Sequence, residues 1–369
     1  MSDLRYWVGF NIVRGIGPLR LRALLDTYGS IERAWHASAD QLRSAGLDGR
    51  SIGNLLKARS ELDLDRELKR IDAIGARVLT WDSPQYPRLL LETDAPPPVL
   101  YIRGELTDDD AWAVAVVGTR RASTYGREVT RRLADALARN GITIVSGLAR
   151  GIDGIAHHAA LASGGRTIAV FGCGIDHVYP AEHRQLASQI ANQGALVSDY
   201  PLGTRPEARN FPPRNRIISG LSLGVLVTNA GKSSGALITA DFAAEQGRDV
   251  FAVPGSILTQ GSVGPNRLIQ DGAKLVTKAE DVLEELNLTM VAEQTQARRV
   301  LPEDETEAAL LQHLSPEPTH VDELQRRSNL EIAQVTSTLA MMELKGMVRQ
   351  VGGMNYVVAR ESGFEYVID

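Results

Sequence analysis

A chain of 369 residues, 43% hydrophobic and 23% charged, is long for one domain and ordinary for a globular protein, so two or three domains are expected. One cysteine, Cys173, permits no internal disulfide, and no Cys/His spacing of the zinc type occurs, so no metal is expected and a reducing cytoplasm fits; no cofactor is expected either. The first thirty residues lack a signal-peptide apolar core and no apolar run approaches the roughly 18 residues that span a bilayer, so no membrane is expected.

The net charge of −5 conceals an uneven distribution. Residues 303–369 carry 5 Lys and Arg against 12 Asp and Glu, whereas residues 111–288 carry 18 against 15. In that middle segment the arginines gather at two places: Arg120, Arg121, Arg127, Arg131 and Arg132, then Arg205, Arg209, Arg214 and Arg216. The charge of a patch, rather than of the whole chain, decides anion binding.

Residues 1–70 read as short helices forming a small domain. Leu4 to Val13 is followed by Arg14-Gly15-Ile16-Gly17-Pro18 and by a helix-period run, Leu19, Leu21, Leu24 and Leu25, ending near Gly29. This pattern resembles a helix-hairpin-helix (SAM-like) unit, with a weaker second copy around Leu42 to Leu56. Such a glycine turn either presents backbone N–H groups to DNA phosphates or serves packing alone, and the residues leave both readings open. Residues 71–110 add two strand-like runs, 76–81 and 99–102, which read as extra strands on a larger sheet; Asp108-Asp109-Asp110 reads as a solvated loop.

From Trp112 the period changes. Strands are predicted at 113–117, 142–146, 167–171, 195–199, 224–228, 249–253 and 274–276, separated by amphipathic helical runs such as Glu128 to Asn140. The alternation implies right-handed parallel crossovers, hence an α/β fold with an extended, Rossmann-like, doubly wound sheet over residues 71–288. The strand ends carry glycine-, serine- or arginine-bearing turns: Val117-Gly118-Thr119-Arg120, the loop from Ser146 to Gly151, Gly172-Cys173-Gly174, and Asn229 to Gly235. In a parallel sheet these turns share one edge, where helix amino termini make room for a phosphate-bearing ligand.

Residues 289–302 read as a polar linker and 303–369 as a C-terminal winged helix: three helices, then a hairpin through Gly352-Gly353. Its expected recognition helix offers Glu331, Gln334, Thr336, Ser337 and Glu343 with Lys345 as the single cation. So few cations predict weak or no duplex DNA binding, and a protein-contact role is favoured.

Nucleotide chemistry finds little support. A Walker A motif needs glycine where Leu226 stands, and the dinucleotide fingerprint begun by Gly172 and Gly174 has His177 for its third glycine. Ser146, Asp153 and His157 are candidates for nucleophile and base, set against a reading in which Asp153 caps a helix and His157 is packed. No nucleophile-elbow motif accompanies them, so no enzyme is expected. Anion binding remains, through Arg120, Arg150, Arg214-Asn215-Arg216 and Lys232 to Gly235, with Gly147 and Gly151 allowing close backbone approach. Tyr179 and Phe211 either stack on bases or simply pack.

The motifs, taken in order, resemble the DNA-processing protein A family (DprA/Smf). They are Val116-Val117-Gly118-Thr119-Arg120, Val145 through Asp153 with His157, Gly172-Cys173-Gly174-Ile175-Asp176 with Tyr179-Pro180, Phe211 through Ser222, Ser234 through Ala240, and Val253-Pro254-Gly255. The match is strong over about 110–275. The resemblance implies a protein that binds single-stranded DNA at this sheet edge, protects incoming strands and loads RecA in natural transformation, commonly as a homodimer. Carried over by motif, the DNA-binding residues would be Gly118, Thr119, Arg120, Ser146, Gly147, Leu148, Arg150, Gly151, Gly174, Tyr179, Arg214, Asn215 and Arg216, with Arg184, Lys232 and Ser234 as additions.

Two positions depart from the family's pattern: Asn229 stands where a glutamate is frequent, and Ser198-Asp199 where Ser-Glu is usual. Thr119 replaces a serine and keeps the hydroxyl. One alternative is a nucleotide-processing hydrolase of the phosphoribohydrolase type, which wants Pro-Gly-Gly-x-Gly-Thr where this chain has Pro254-Gly255-Ser256. Another is a transcription regulator acting through the winged helix, against which its acidic reader helix counts.

Overall fold

Every strand expected between residues 76 and 276 forms in the structure, a computed structural model that describes residues 3–288, 305–315, 317–345 and 347–358. The strands are β1 (Arg77–Thr80), β2 (Val99–Gly104), β3 (Ala113–Gly118), β4 (Thr143–Ser146), β5 (Thr167–Val170), β6 (Ala195–Ser198), β7 (Gly224–Asn229), β8 (Asp249–Ala252) and β9 (Lys274–Leu275). They make one nine-stranded sheet in the order β1-β2-β6-β5-β4-β3-β7-β8-β9. From β6 to β9 the pairing is parallel, while β2 runs antiparallel to both β1 and β6. The chain thus builds outward from β3 to β6, then returns to lay β7 on the other side of β3.

Helices cover both faces, so the central strands are apolar at consecutive positions rather than alternating, as in Ala113 to Val117, all buried. Along β5 the faces separate by parity. Ile168 and Val170 join a core with Ile217, Ala236 and Ala240, while Ala169 joins a second core with Tyr101, Leu196 and the amino-terminal helices. The crossover helices that matter below are α8 (Thr124–Arg139), α9 (Ile152–Ala162), α10 (Arg184–Gln193), α11 (Phe211–Gly220) and α12 (Gly235–Glu245), preceded by α1 (Leu4–Ile12) to α7 (Arg88–Leu91).

Residues 1–70 and 71–288, expected as two domains, belong to one compact unit. The reason is apolar burial: Trp7, Phe10, Leu21 and Leu24 share their core with Tyr101, Phe171 and Leu196 of the sheet body, and the helix Leu64–Ala73 runs through the expected boundary. The glycine turn before α2 (Pro18–Tyr28) is engaged in packing, since Arg20 Nη1 (2.7 Å) and Ser51 Oγ (3.3 Å) both donate to the Gly15 carbonyl. The acidic run is not wholly a solvated loop: Asp110 accepts from Thr143 Oγ1 (2.9 Å) and pairs with Arg166 (2.9 Å), tying the start of β4 to the sheet.

The expected linker, 289–302, lies outside the described residues. In the carboxyl-terminal unit, helices span Glu305–Leu311, Val321–Ser328 and Ile332–Leu344, and β10 (Thr319–His320), β12 (Asn355–Val358) and β11 (Val348–Gln350) pair antiparallel in that order, the architecture of a winged helix. Leu310, Leu324, Val335, Leu339 and Met342 form its core. Lys345, the cation of the expected reader helix, turns inward to Glu307 at 2.6 Å, and Glu307 is only 4% exposed in its side chain. No helix among the described residues is long and apolar enough to cross a membrane.

Candidate nucleic-acid interface

The strand order reverses between β3 and β7, and an open α/β sheet receives ligands in the crevice beyond the carboxyl ends of its strands at such a point. A cavity of about 420 Å³ opens there. Gly118, Thr119, Arg120 and Arg121 line it from the end of β3, Asp153 from α9, Phe211, Arg214 and Asn215 from α11, and Ser234 and Thr239 from the start of α12.

The floor of the cavity is a buried polar cluster. Arg214, 4% exposed, donates from Nη1 to the carbonyls of Gly147 (2.9 Å) and Val170, and from Nε to Asn215 Oδ1 (3.2 Å). Asp153 approaches from the other side and accepts from the Ala149 N–H at 3.3 Å. Burial pushes the Asp153 carboxyl above its usual range and the Arg214 guanidinium below its own, and each is the main charge holding the other ionised. Gly147 is squeezed between them. A Cβ built there would lie 2.6 Å from Arg214 Nη2 and 2.8 Å from Asp153 Oδ2, so glycine is what the cluster admits.

The rim is different in kind. Arg120 is exposed and forms no ion pair among the described residues, with its guanidinium 5.6 Å from the Phe211 ring centroid. Tyr179, 40% exposed, stands 5.5 Å from the same ring. A free guanidinium and two aromatic rings beside small residues can take a phosphate and offer stacking faces to bases.

The structure gathers Gly118, Thr119, Arg120, Arg214, Asn215 and Ser234 around this cavity, with Gly147 directly beneath. Ser146 and Leu148 are fully buried supports: Ser146 Oγ donates to the Val116 carbonyl at 2.7 Å, and Leu148, at φ 58°, accepts from His183 Nδ1 at 2.9 Å. Gly151, at φ 77°, lets the loop pass against the Thr119 carbonyl, while Arg150 is held by Glu182. Four residues lie outside the cavity. Gly174 packs against Asp176 and Pro201, Arg184 and Lys232 stand exposed elsewhere, and Arg216 bonds Asp199 (2.9 Å) and the Ala95 carbonyl (2.6 Å) in a separate, smaller cleft facing Gly17 and Pro18.

The nucleophile–base reading finds no dyad. His157 is buried with Nδ1 2.7 Å from Thr167 Oγ1, whose proton goes to the Ile144 carbonyl (2.6 Å), while the Ser146 proton goes to Val116. Burial drives the His157 imidazole down to about 3. Nor is Asp153 the helix cap: Gly151 holds that position and Asp153 sits two residues inside α9.

The model of the family described as DNA recombination-mediator protein A matches residues 77–287, and that of the DprA winged helix domain matches residues 294–354. The chain belongs to the DNA recombination-mediator protein A family. It is 39% identical to the protein Smf of Escherichia coli, over 93% of this chain and 96% of that one, and 37% identical to the Synechocystis protein Smf, over 96% and 98%. Among solved structures it resembles DNA processing protein A from Streptococcus pneumoniae, at 36% identity and a TM-score of 0.68, covering 76% of this chain and 97% of that one. It also resembles the Helicobacter pylori protein, at 31% identity and 0.51, covering 57% and 95%. The protein is accordingly a DNA-processing recombination mediator.

Two residues that hold the segments around this site together were not legible as such. Asp153 fastens the Gly147 loop, and the available signal was a carboxylate just inside a helix entered through a glycine. Asn229, noticed as a departure from the family's glutamate, is 1% exposed and ties three segments together: its Oδ1 accepts from Ser123 N (3.2 Å) and its Nδ2 donates to the Gly261 carbonyl (2.9 Å). A carboxylate could not make the second bond.

Proposed function

We propose that the carboxyl-edge cavity grips single-stranded DNA by its backbone, with Arg120 taking a phosphate and Phe211 and Tyr179 stacking on bases. The observation that carries this reading is the contrast inside the cavity between Arg214, whose donors are spent on carbonyls, and Arg120, whose guanidinium is free beside an aromatic ring. The Helicobacter pylori relative is described as binding single-stranded DNA, which agrees with it. The protein acts without turnover in this reading, since Ser146 and His157 have their hydrogen bonds committed elsewhere. Delivery of the strand to RecA, action as a homodimer, a cytoplasmic location and little duplex binding by the winged helix complete the proposal on the strength of the family resemblance.

The test is fluorescence anisotropy of a labelled oligo-dT and of a matched duplex. Wild-type protein should prefer the single strand, and Arg120→Ala should weaken it by about tenfold, near the upper end of one lost phosphate contact, with thermal stability unchanged. Equal affinity for both DNAs, or no effect of the substitution, would remove the reading.

A further inference from the structure

A second cavity, of about 500 Å³, adjoins the first and shares Arg120 and Arg121 with it. It is lined further by Arg127 from α8, by Gly151, by His158 from α9 and by His183. No Asp or Glu lines it.

The free cations are distributed unevenly around it. Along α8, Arg131 is paired with Glu128 and Arg139 with Asp135, and across the loop Arg150 is held by Glu182 through two bonds of 2.7 Å. Arg120, Arg121 and Arg127 form no ion pair among the described residues, although all three are exposed. Arg127 Nε donates to the Ala122 carbonyl (3.2 Å), which anchors the side chain and leaves its terminal nitrogens available. His183 is anchored likewise by its bond to the Leu148 carbonyl (2.9 Å). Three unpaired guanidinium groups in one concavity repel one another, and a bound anion relieves that repulsion.

Resting on the reading of the first cavity given above, we propose that this second cavity is a phosphodiester site for the same strand. A strand leaving the first cavity crosses the Thr119–Arg121 turn, against whose backbone Gly151 packs closely for want of a side chain, and places a further phosphate against Arg121 and Arg127. The ligand is a backbone phosphate, recognised without regard to base.

Arg127 lines only the second cavity, so Arg127→Ala separates the two. The measurement is affinity against salt for oligo-dT of about four and about twenty nucleotides, spanning the range of known single-strand site sizes. The longer strand should lose about 3- to 10-fold in affinity and about 0.7 in the slope of log affinity against log salt, while the shorter strand is unaffected; Arg127→Lys should restore most of the loss. An equal loss on both lengths, or none on either, overturns the proposal. Loss of dTMP binding with the longer strand's affinity intact assigns the cavity to a free nucleotide and overturns it as well. Failure of the wild-type protein to bind either oligonucleotide is a different result, which removes the reading of the first cavity.

Discussion

The carboxyl edge of the nine-stranded sheet and the last helix of the winged-helix unit treat their cations in opposite ways. At the sheet edge, one arginine, Arg214, is sunk into the floor with its Nη1 donors spent on backbone carbonyls and Asp153 as its main balancing charge, whereas Arg120, Arg121 and Arg127 stand unpaired. In the winged helix the corresponding cation, Lys345, is folded back onto Glu307 and stabilises its own unit. The reader helix of a fold often used to read DNA therefore spends its cation internally, while a sheet edge that carries both signs keeps three unpaired guanidinium groups in one concavity. What distinguishes a nucleic-acid surface is which cations lack an internal partner, and the number of cations does not reveal that.

This contrast can be broken most forcefully at the floor. Arg214→Met should lower the stability of the sheet body by about 3–5 kcal/mol, because it strands a buried carboxylate, and calorimetry should show that transition moving while the winged-helix transition stays. A small change would mean that Arg214 is a surface-like ligand group after all. Acid should act on the same body. His157 is held down to about 3 against an ordinary 6.5, so stability is independent of its titration above about 6.5 and falls by about 1.4 kcal/mol per pH unit below it, as the unfolded chain takes up a proton that the fold refuses. Denaturant melts from pH 7 to pH 4.5 should show that slope, flattened in His157→Gln.

Gly147→Ala should cost about 1–3 kcal/mol through overpacking against Arg214 and Asp153, and should lower single-strand affinity as the loop shifts. Unchanged stability and affinity would show that the cluster yields freely. The smallest effect on DNA is expected from Lys345→Met, which should change single-strand affinity less than about twofold while destabilising the winged-helix unit. A larger loss of affinity would place Lys345 on DNA and make the winged helix a second DNA-binding surface.

Much of the fold was legible because its signals are local. Runs such as Ala113-Val114-Ala115-Val116-Val117, closed by glycine turns and alternating with amphipathic helices, specify a parallel sheet through burial and crossover handedness. The three helices and hairpin of the winged helix were legible for the same reason. The cation-poor composition of its reader helix was also visible, although the pairing of Lys345 with Glu307, 38 residues away in the chain, was not. Arginines were the hardest to sort. Arg214 and Arg216 are two residues apart on one helix, yet one enters the cavity floor and the other turns to Asp199 in a different cleft, because residues so spaced on a helix face different directions.

The sequence by itself determined the class of the fold, the edge on which the strand-end turns gather and the family of the protein, since periodicity, turn chemistry and ordered motifs are properties of short segments. Tertiary structure alone decided that the amino-terminal helices share a core with the sheet, that Ser146 and His157 make no dyad, and which arginines remain free. Those outcomes depend on partners brought together from distant parts of the chain, and a charge is neutralised or left available according to what the fold places within a few ångströms of it.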